Sequence, residues 1–286
     1  MTSEVIETPR ADGSVVPMST PTAIGEQLRA WRQRRRLSQL QLATTAATSQ
    51  RHLSFVESGR AMPSREMVLR LARHLSVPPR DRNTLLVAAG FAPVHRERAL
   101  TDPALGPVRA LVERILRGYE PYPALAVDRH WTMVLANASV APLLEGIAPA
   151  LLAPPINVLR LSLHPEGLAP RIVNLDAWRE HLFARLDAQL EASGDSALEA
   201  LIAELRAYPA PPARRGSPPS DTSLSGIAVP LELAHGDRVL RFWSTTTVFG
   251  TPVDVTLSEL AIEAFLPADP ETARAVGTPV GGAGPG

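Results

Sequence analysis

The chain has 286 residues, 45% of them hydrophobic and 20% charged, enough for one large core or two modest ones. It contains no cysteine, which excludes disulfides, thiolate zinc sites and a cysteine nucleophile. Its 29 basic residues, all arginine, balance 29 acids, but residues 1–22 carry −2, residues 23–82 carry +8 from twelve arginines and four acids, and residues 83–286 carry −6. A basic segment beside an acidic remainder is the footprint of a nucleic-acid-binding module followed by a second domain, although a solvated charged face would give the same count. No apolar run approaches eighteen residues and no basic-then-apolar signal opens the sequence, so a cytoplasmic protein with no membrane partner is expected.

Residues 1–21 are polar, contain three prolines and show no period, and are expected to be a disordered tail. From Ala23, the apolar series Ile24, Leu28, Trp31 and Leu37 predicts an amphipathic helix with Arg29, Arg32, Arg34, Arg35 and Arg36 crowding its polar side and end. Between Ser38 and Glu57, Leu40, Ala43 and Ala46 keep helical spacing, and Leu53 and Val56 resume it after a short break. The pattern is that of two short helices joined by a tight turn. Ser38 with Gln41 forms a capping box for the first, and Ser49 caps the second. Leu53 and Val56 then face inward while Gln50, Arg51, Ser54 and Phe55 lie on or near the outward face. Such a helix suits the major groove, where Gln pairs with adenine and Arg with guanine. Gly59 stops that helix, Ser64 starts a fourth through Leu75, and Pro78-Pro79 opens a fifth, about Arg80 to Ala89, closed by Gly90.

Five short helices with the second and third forming the turn resemble the XRE family of helix-turn-helix DNA-binding domains, similar to the phage repressor and Cro proteins. The resemblance places the domain at residues 22–92 and implies a lambda-repressor-like fold. It implies that Gln39 and Arg60 touch phosphates, and that Ser49, Gln50 and Arg51 open the recognition helix with Ser54 and Phe55 further along. It also pairs Arg32 with Glu57 as a structural ion pair. Ala47 departs from the pattern, standing where such turns often place Gly for a left-handed backbone, at a cost of roughly 1 kcal/mol.

Residues 93–107, with irregular apolar spacing and several prolines, are expected to be a linker. A helix from about Leu105 to Gly118 follows, with Val108, Leu111, Val112 and Ile115 on one face. Pro123-ALAVD and Trp131-TMVLAN read as a hairpin turning at Asp128-Arg-His, and Asn137 as the cap of a helix over Ala138–Glu145. Asn157 also reads as a cap, and Leu175–Ala192 and Ala197–Tyr208 as amphipathic helices. Pro209–Ser225 is expected to be a loop. Gly226-IAVPLEL, Arg238-VLRFWSTTTVF and Val253-DVT are strand-like, and the segment to Leu266 is ambiguous, with strand favoured at its end. Strands at both ends of the region imply one antiparallel sheet with helices on one side, an α+β protein overall. Residues 268–286 are expected to be a second disordered tail.

The motifs Tyr122-PALAVDRHWTMVLAN, Asn157-VLRLSLHPEGLAPRIVN with Trp178 after it, and Arg241-FWSTTTVFGTP with the following Leu257–Phe265 resemble the ligand-binding domain of the MmyB-like transcription regulators. The resemblance implies a PAS-like domain over residues 108–267, a homodimer, double-stranded DNA as partner, and a small apolar effector such as a fatty acid, with no cofactor. Trp131, Leu159, Leu163, Trp178, Leu182 and Phe242 are the candidate pocket residues, although aromatics in sheets are commonly ordinary core. His164, Asp176 and His181 share no helical face, so no metal is expected. No phosphate-cradling loop, GxSxG elbow or His-rich zinc pattern occurs, so no enzyme is expected. A protein-interaction adaptor of the transcription machinery with weak DNA binding remains an alternative, as does residual turnover of a ligand in the second domain.

Overall fold

The computed structural model describes residues 23–98, 102–209, 229–249 and 254–277. The expected tail over 1–21 and nearly all of the 209–225 loop fall outside these residues. In chain order the helices are α1 (Ile24–Arg34), α2 (Gln39–Thr45), α3 (Gln50–Glu57), α4 (Arg65–His74), α5 (Pro79–Ala88), α6 (Gly106–Arg117), α7 (Pro149–Leu152), α8 (Val158–Leu163), α9 (Leu175–Ser193), α10 (Ser196–Ala207), α11 (Val255–Ser258) and α12 (Pro270–Gly277). The strands are β1 (Ala124–Val127), β2 (Met133–Ala136), β3 (Leu231–His235), β4 (Arg238–Val248) and β5 (Ala261–Pro267). Backbone proximity divides the chain into two units, one holding the residues up to Leu75 with Thr84–Ala92, the other Ser76–Asn83 and everything from Pro93.

In the first unit every expected serine cap is formed. The Ser38 hydroxyl accepts from Gln41 N while the Gln41 side chain accepts from Ser38 N, and Ser49 and Ser64 accept from His52 N and Met67 N. Leu28, Leu42, Leu53, Val56, Val68, Leu71 and Leu75 are fully buried between the helices. Leu40 is not part of this core. It is 59% exposed, because the buried stripe of α2 runs through Leu42, Ala43 and Ala46, and Leu40 lies roughly 110° around the helix from its centre. Ala47 takes the left-handed conformation, φ +48°, as the turn requires.

Gly25 allows α1 and α3 to approach at contact distance. A Cβ there would lie 2.3 Å from the Val56 carbonyl oxygen and 2.8 Å from that of Glu57. Where those helices meet, Arg32 Nε and Nη2 donate to the two oxygens of Glu57 at 2.7 and 2.9 Å, forming the ion pair that the resemblance implied.

The second unit is built on a five-stranded antiparallel sheet in the order β2-β1-β5-β4-β3, the PAS-like sheet expected. Helices cover both of its faces, not one. All four residues of β1 are buried: Leu125 and Val127 face the main core with α8, α9 and α10, while Ala124 and Ala126 face α6 together with Ile262 and Ala264 of β5. Small alanines on that side let α6 lie close. Its buried face is Val112 and Leu116, whereas Leu111 is exposed.

Three local readings change. Asn137 caps no helix: its Oδ1 accepts from Ala124 N, and its Nδ2 donates to the carbonyls of Leu116 and Tyr122, joining hairpin to helix. Val255 and Thr256, expected to be strand-like, and Leu257 and Ser258, open between strand and helix, form the helical turn α11, because the Asp254 carboxylate accepts from Thr256 N and starts it. Residues 270–277, within the expected C-terminal tail, form α12, whose Thr272 is buried and accepts from Arg241 N of β4.

Candidate functional site

The N-terminal edge of α3 is the candidate DNA-reading element. Ser49, Gln50 and Arg51 are exposed at its start, and Ser54 and Phe55 are half-buried one turn on. The Arg51 guanidinium lies 5.4 Å from the Phe55 ring centroid, so a long side chain is braced by a ring one turn along its own helix. Gln39 is held too, its Nε2 donating to Glu57 Oε2 at 2.9 Å. Arg60 follows the helix with its side chain exposed and its backbone N–H bonded to the Phe55 carbonyl at 2.8 Å. Glu57 therefore organises α1, α2 and α3 at once. Its bond to Arg32 raises the already high pKa of that guanidinium, outweighing burial.

The second unit contains an apolar cavity of about 90 Å³. Of the six candidate pocket residues, Trp131, Leu159, Trp178 and Leu182 line it, while Leu163 and Phe242 are fully buried in the surrounding core and do not. Phe242 instead supports the wall edge-on through Phe265, with ring centroids 6.5 Å apart. On α9, Trp178, His181, Leu182 and Arg185 fall at i, i+3, i+4 and i+7, so one helical stripe supplies one wall. Asn157 caps α8 through Leu159 N and Arg160 N, and its Nδ2 bonds the His130 carbonyl, fixing α8 to the hairpin turn.

Trp131 takes φ +65°, a left-handed conformation costly for a bulky residue. Three contacts on one helix hold it there. Its Nε1 donates to Gln189 Oε1 at 3.0 Å, Gln189 Nε2 donates to the Arg129 carbonyl, and Arg185 stacks 4.4 Å from the Trp131 ring centroid. Strain of this kind gathers at ligand sites.

Sequence reasoning missed the polar groups of this pocket. Arg185 Nη2 and Nη1 donate to the two Glu263 oxygens at 2.7 and 3.1 Å, and the Ser244 and Thr246 hydroxyls donate to the same carboxylate. His181 stacks on Trp178, with centroids 5.6 Å apart, and burial together with the neighbouring Arg185 lowers its pKa, which favours the neutral ring. His164 packs edge-on against Tyr208 and does not line the cavity. The signal present in the sequence was the i+3 and i+7 spacing of His181 and Arg185 from Trp178.

Residues 23–85 match a helix-turn-helix domain family, and residues 108–277, well over half of the chain, match the MmyB-like transcription regulator ligand binding domain. The chain belongs to the MmyB-like transcription regulators. This MmyB-like regulator pairs a DNA-binding domain with a ligand-binding domain, and neither family is enzymatic. The second match runs to residue 277, the end of α12, so that helix belongs with the sheet. Among curated proteins the regulator has no match. Among its described residues no helix is long and apolar enough to cross a membrane.

Proposed function

We propose that this regulator works as a homodimer, reads a specific duplex sequence through the start of α3, and responds to a small apolar effector, fatty-acid-like in its chain, taken into the pocket of its second domain. The observation that carries the reading is the pair Gln50 and Arg51, exposed at the first turn of a helix whose Leu53, Val56 and Glu57 are anchored in the scaffold. In this reading those two side chains pair with base edges, while Gln39 and Arg60 contact phosphates. A dimer would place two such edges on the half-sites of a palindrome. The apolar lining of the pocket supports the effector: each buried methylene contributes about 0.8 kcal/mol, so affinity comes from the chain.

The test is a binding titration on palindromic and scrambled duplexes at several salt concentrations. Arg51→Ala is expected to cost about 1–3 kcal/mol on the palindrome and relax preference at one base position. Arg60→Ala is expected to weaken both duplexes alike and reduce the salt slope by about one. Unchanged affinities in Arg51→Ala would remove its assigned role. Sedimentation at the concentrations used for binding tests the dimer.

A further inference from the structure

The pocket lining holds a closed ion pair between α9 and β5 and, on α9, an imidazole that the pair does not use. Glu263, its side chain 4% exposed, accepts four hydrogen bonds on its two oxygens, from Arg185 twice, Ser244 and Thr246. That fills a carboxylate's capacity. Among the described residues Arg185 is the one arginine lining the cavity; Glu263 is its counter-charge, and its guanidinium face lies on Trp131. The two remaining polar side chains on the lining, His181 and Ser162, are not engaged by this ion pair. Neither ring nitrogen of His181 has a hydrogen-bond partner among the described residues, and Ser162 Oγ accepts from Trp178 Nε1 at 3.0 Å, leaving its own hydrogen to donate.

We infer that the pocket selects an uncharged amphiphile, an aliphatic chain ending in a hydroxyl, ester or amide, over the free carboxylate of the same chain length. The inference rests on the ligand-binding reading of this pocket and assigns the chemistry of the head group. A carboxylate entering here would be a second anion facing one already neutralised cation, and burying an unmatched charge is costly. A hydroxyl or carbonyl brings no net charge. Neutral His181 offers one donor and one acceptor, and Ser162 offers a donor, enough to satisfy such a group.

The experiment compares 1-octanol with sodium octanoate at pH 8, binding the full chain and read by the fluorescence of Trp131 and Trp178. Octanol is expected to bind on the order of tenfold more tightly. Octanoate binding as tightly as octanol, or more so, would overturn the inference while leaving the ligand-binding reading intact. Binding of neither would overturn the reading itself, and the head-group assignment with it. Glu263→Gln, which leaves Arg185 without its counter-charge, is expected to shift the preference toward octanoate, and an unshifted preference counts against the inference. Where that variant does not fold, His181→Phe keeps the stack on Trp178 and is expected to weaken octanol while sparing octanoate. Equal loss of both would count against a head-group role for His181.

Discussion

Arg32 and Glu57, twenty-five residues apart, meet in a two-pronged ion pair with both side chains almost fully buried. The third guanidinium nitrogen, Nη1, caps the turn after α1 by donating to the Leu37 carbonyl at 2.8 Å. Removing one partner strands the other charge inside the protein, so Arg32→Ala or Glu57→Ala is expected to destabilise the first domain by about 3–5 kcal/mol. Replacing both together with apolar residues of similar volume should cost clearly less than either single change. Denaturant unfolding of the three variants checks this, and equal losses in all three would contradict it.

Two small residues in the same domain are expected to respond in opposite directions. Gly25→Ala drives a methyl into the Val56 and Glu57 carbonyls, and backbone on both sides cannot give way without separating α1 from α3. The cost should be about 1–3 kcal/mol, accompanied by weaker DNA binding, because the end of α3 moves. Ala47→Gly relieves a left-handed alanine at φ +48° and should gain about 0.5–1 kcal/mol, less whatever the freer unfolded chain takes back. Thermal unfolding of both decides. A stable Gly25→Ala variant would show that the helices are not held at contact distance.

The local features of this protein were readable in the sequence, because each depends on neighbours a few residues away. Ser38, Ser49 and Ser64 each accept from an N–H three residues on, and the turn at Asp128 closes a hairpin of adjacent strands. Leu40 misled because periodicity over two or three positions does not say which side of a short helix is covered. Asn137 misled because its partners lie on other elements, Leu116 among them, twenty-one residues away. The main apolar contributors to the pocket could be guessed from Trp131 and Trp178. The Arg185–Glu263 pair could not, since seventy-eight residues, including α10, β3 and β4, separate the two.

Tyr208 is expected to release its phenolic proton late. Its hydroxyl is bonded to Glu204, which also pairs with Arg160 of α8. Burial first, then that bond to the carboxylate, push Tyr208 up to about 12 from an ordinary 10.0. An acid that holds its proton more tightly when folded contributes stability fully present below pH 10.0, lost as pH rises through about 12. Alkaline titration followed by tyrosinate absorbance should show a step near 12 that Tyr208→Phe abolishes. If the variant retains the step, the link between α8 and α10 is not what holds that proton.

The cavity is lined by apolar side chains, and filling it is the direct way to separate ligand binding from folding. Leu182 on α9 lines it, 4% exposed, next to Trp178 and His181 on the same helical stripe. Leu182→Phe enlarges a lining residue toward open space, where the added ring displaces ligand volume rather than protein atoms. In the unsubstituted regulator, an apolar ligand at a hundred times its dissociation constant should stabilise the second domain by about 2.7 kcal/mol, visible as a rise in melting temperature. Leu182→Phe should melt near the unliganded protein and show little or no rise with the same ligand. A full ligand-induced shift in the filled variant would place the bound molecule elsewhere in the domain.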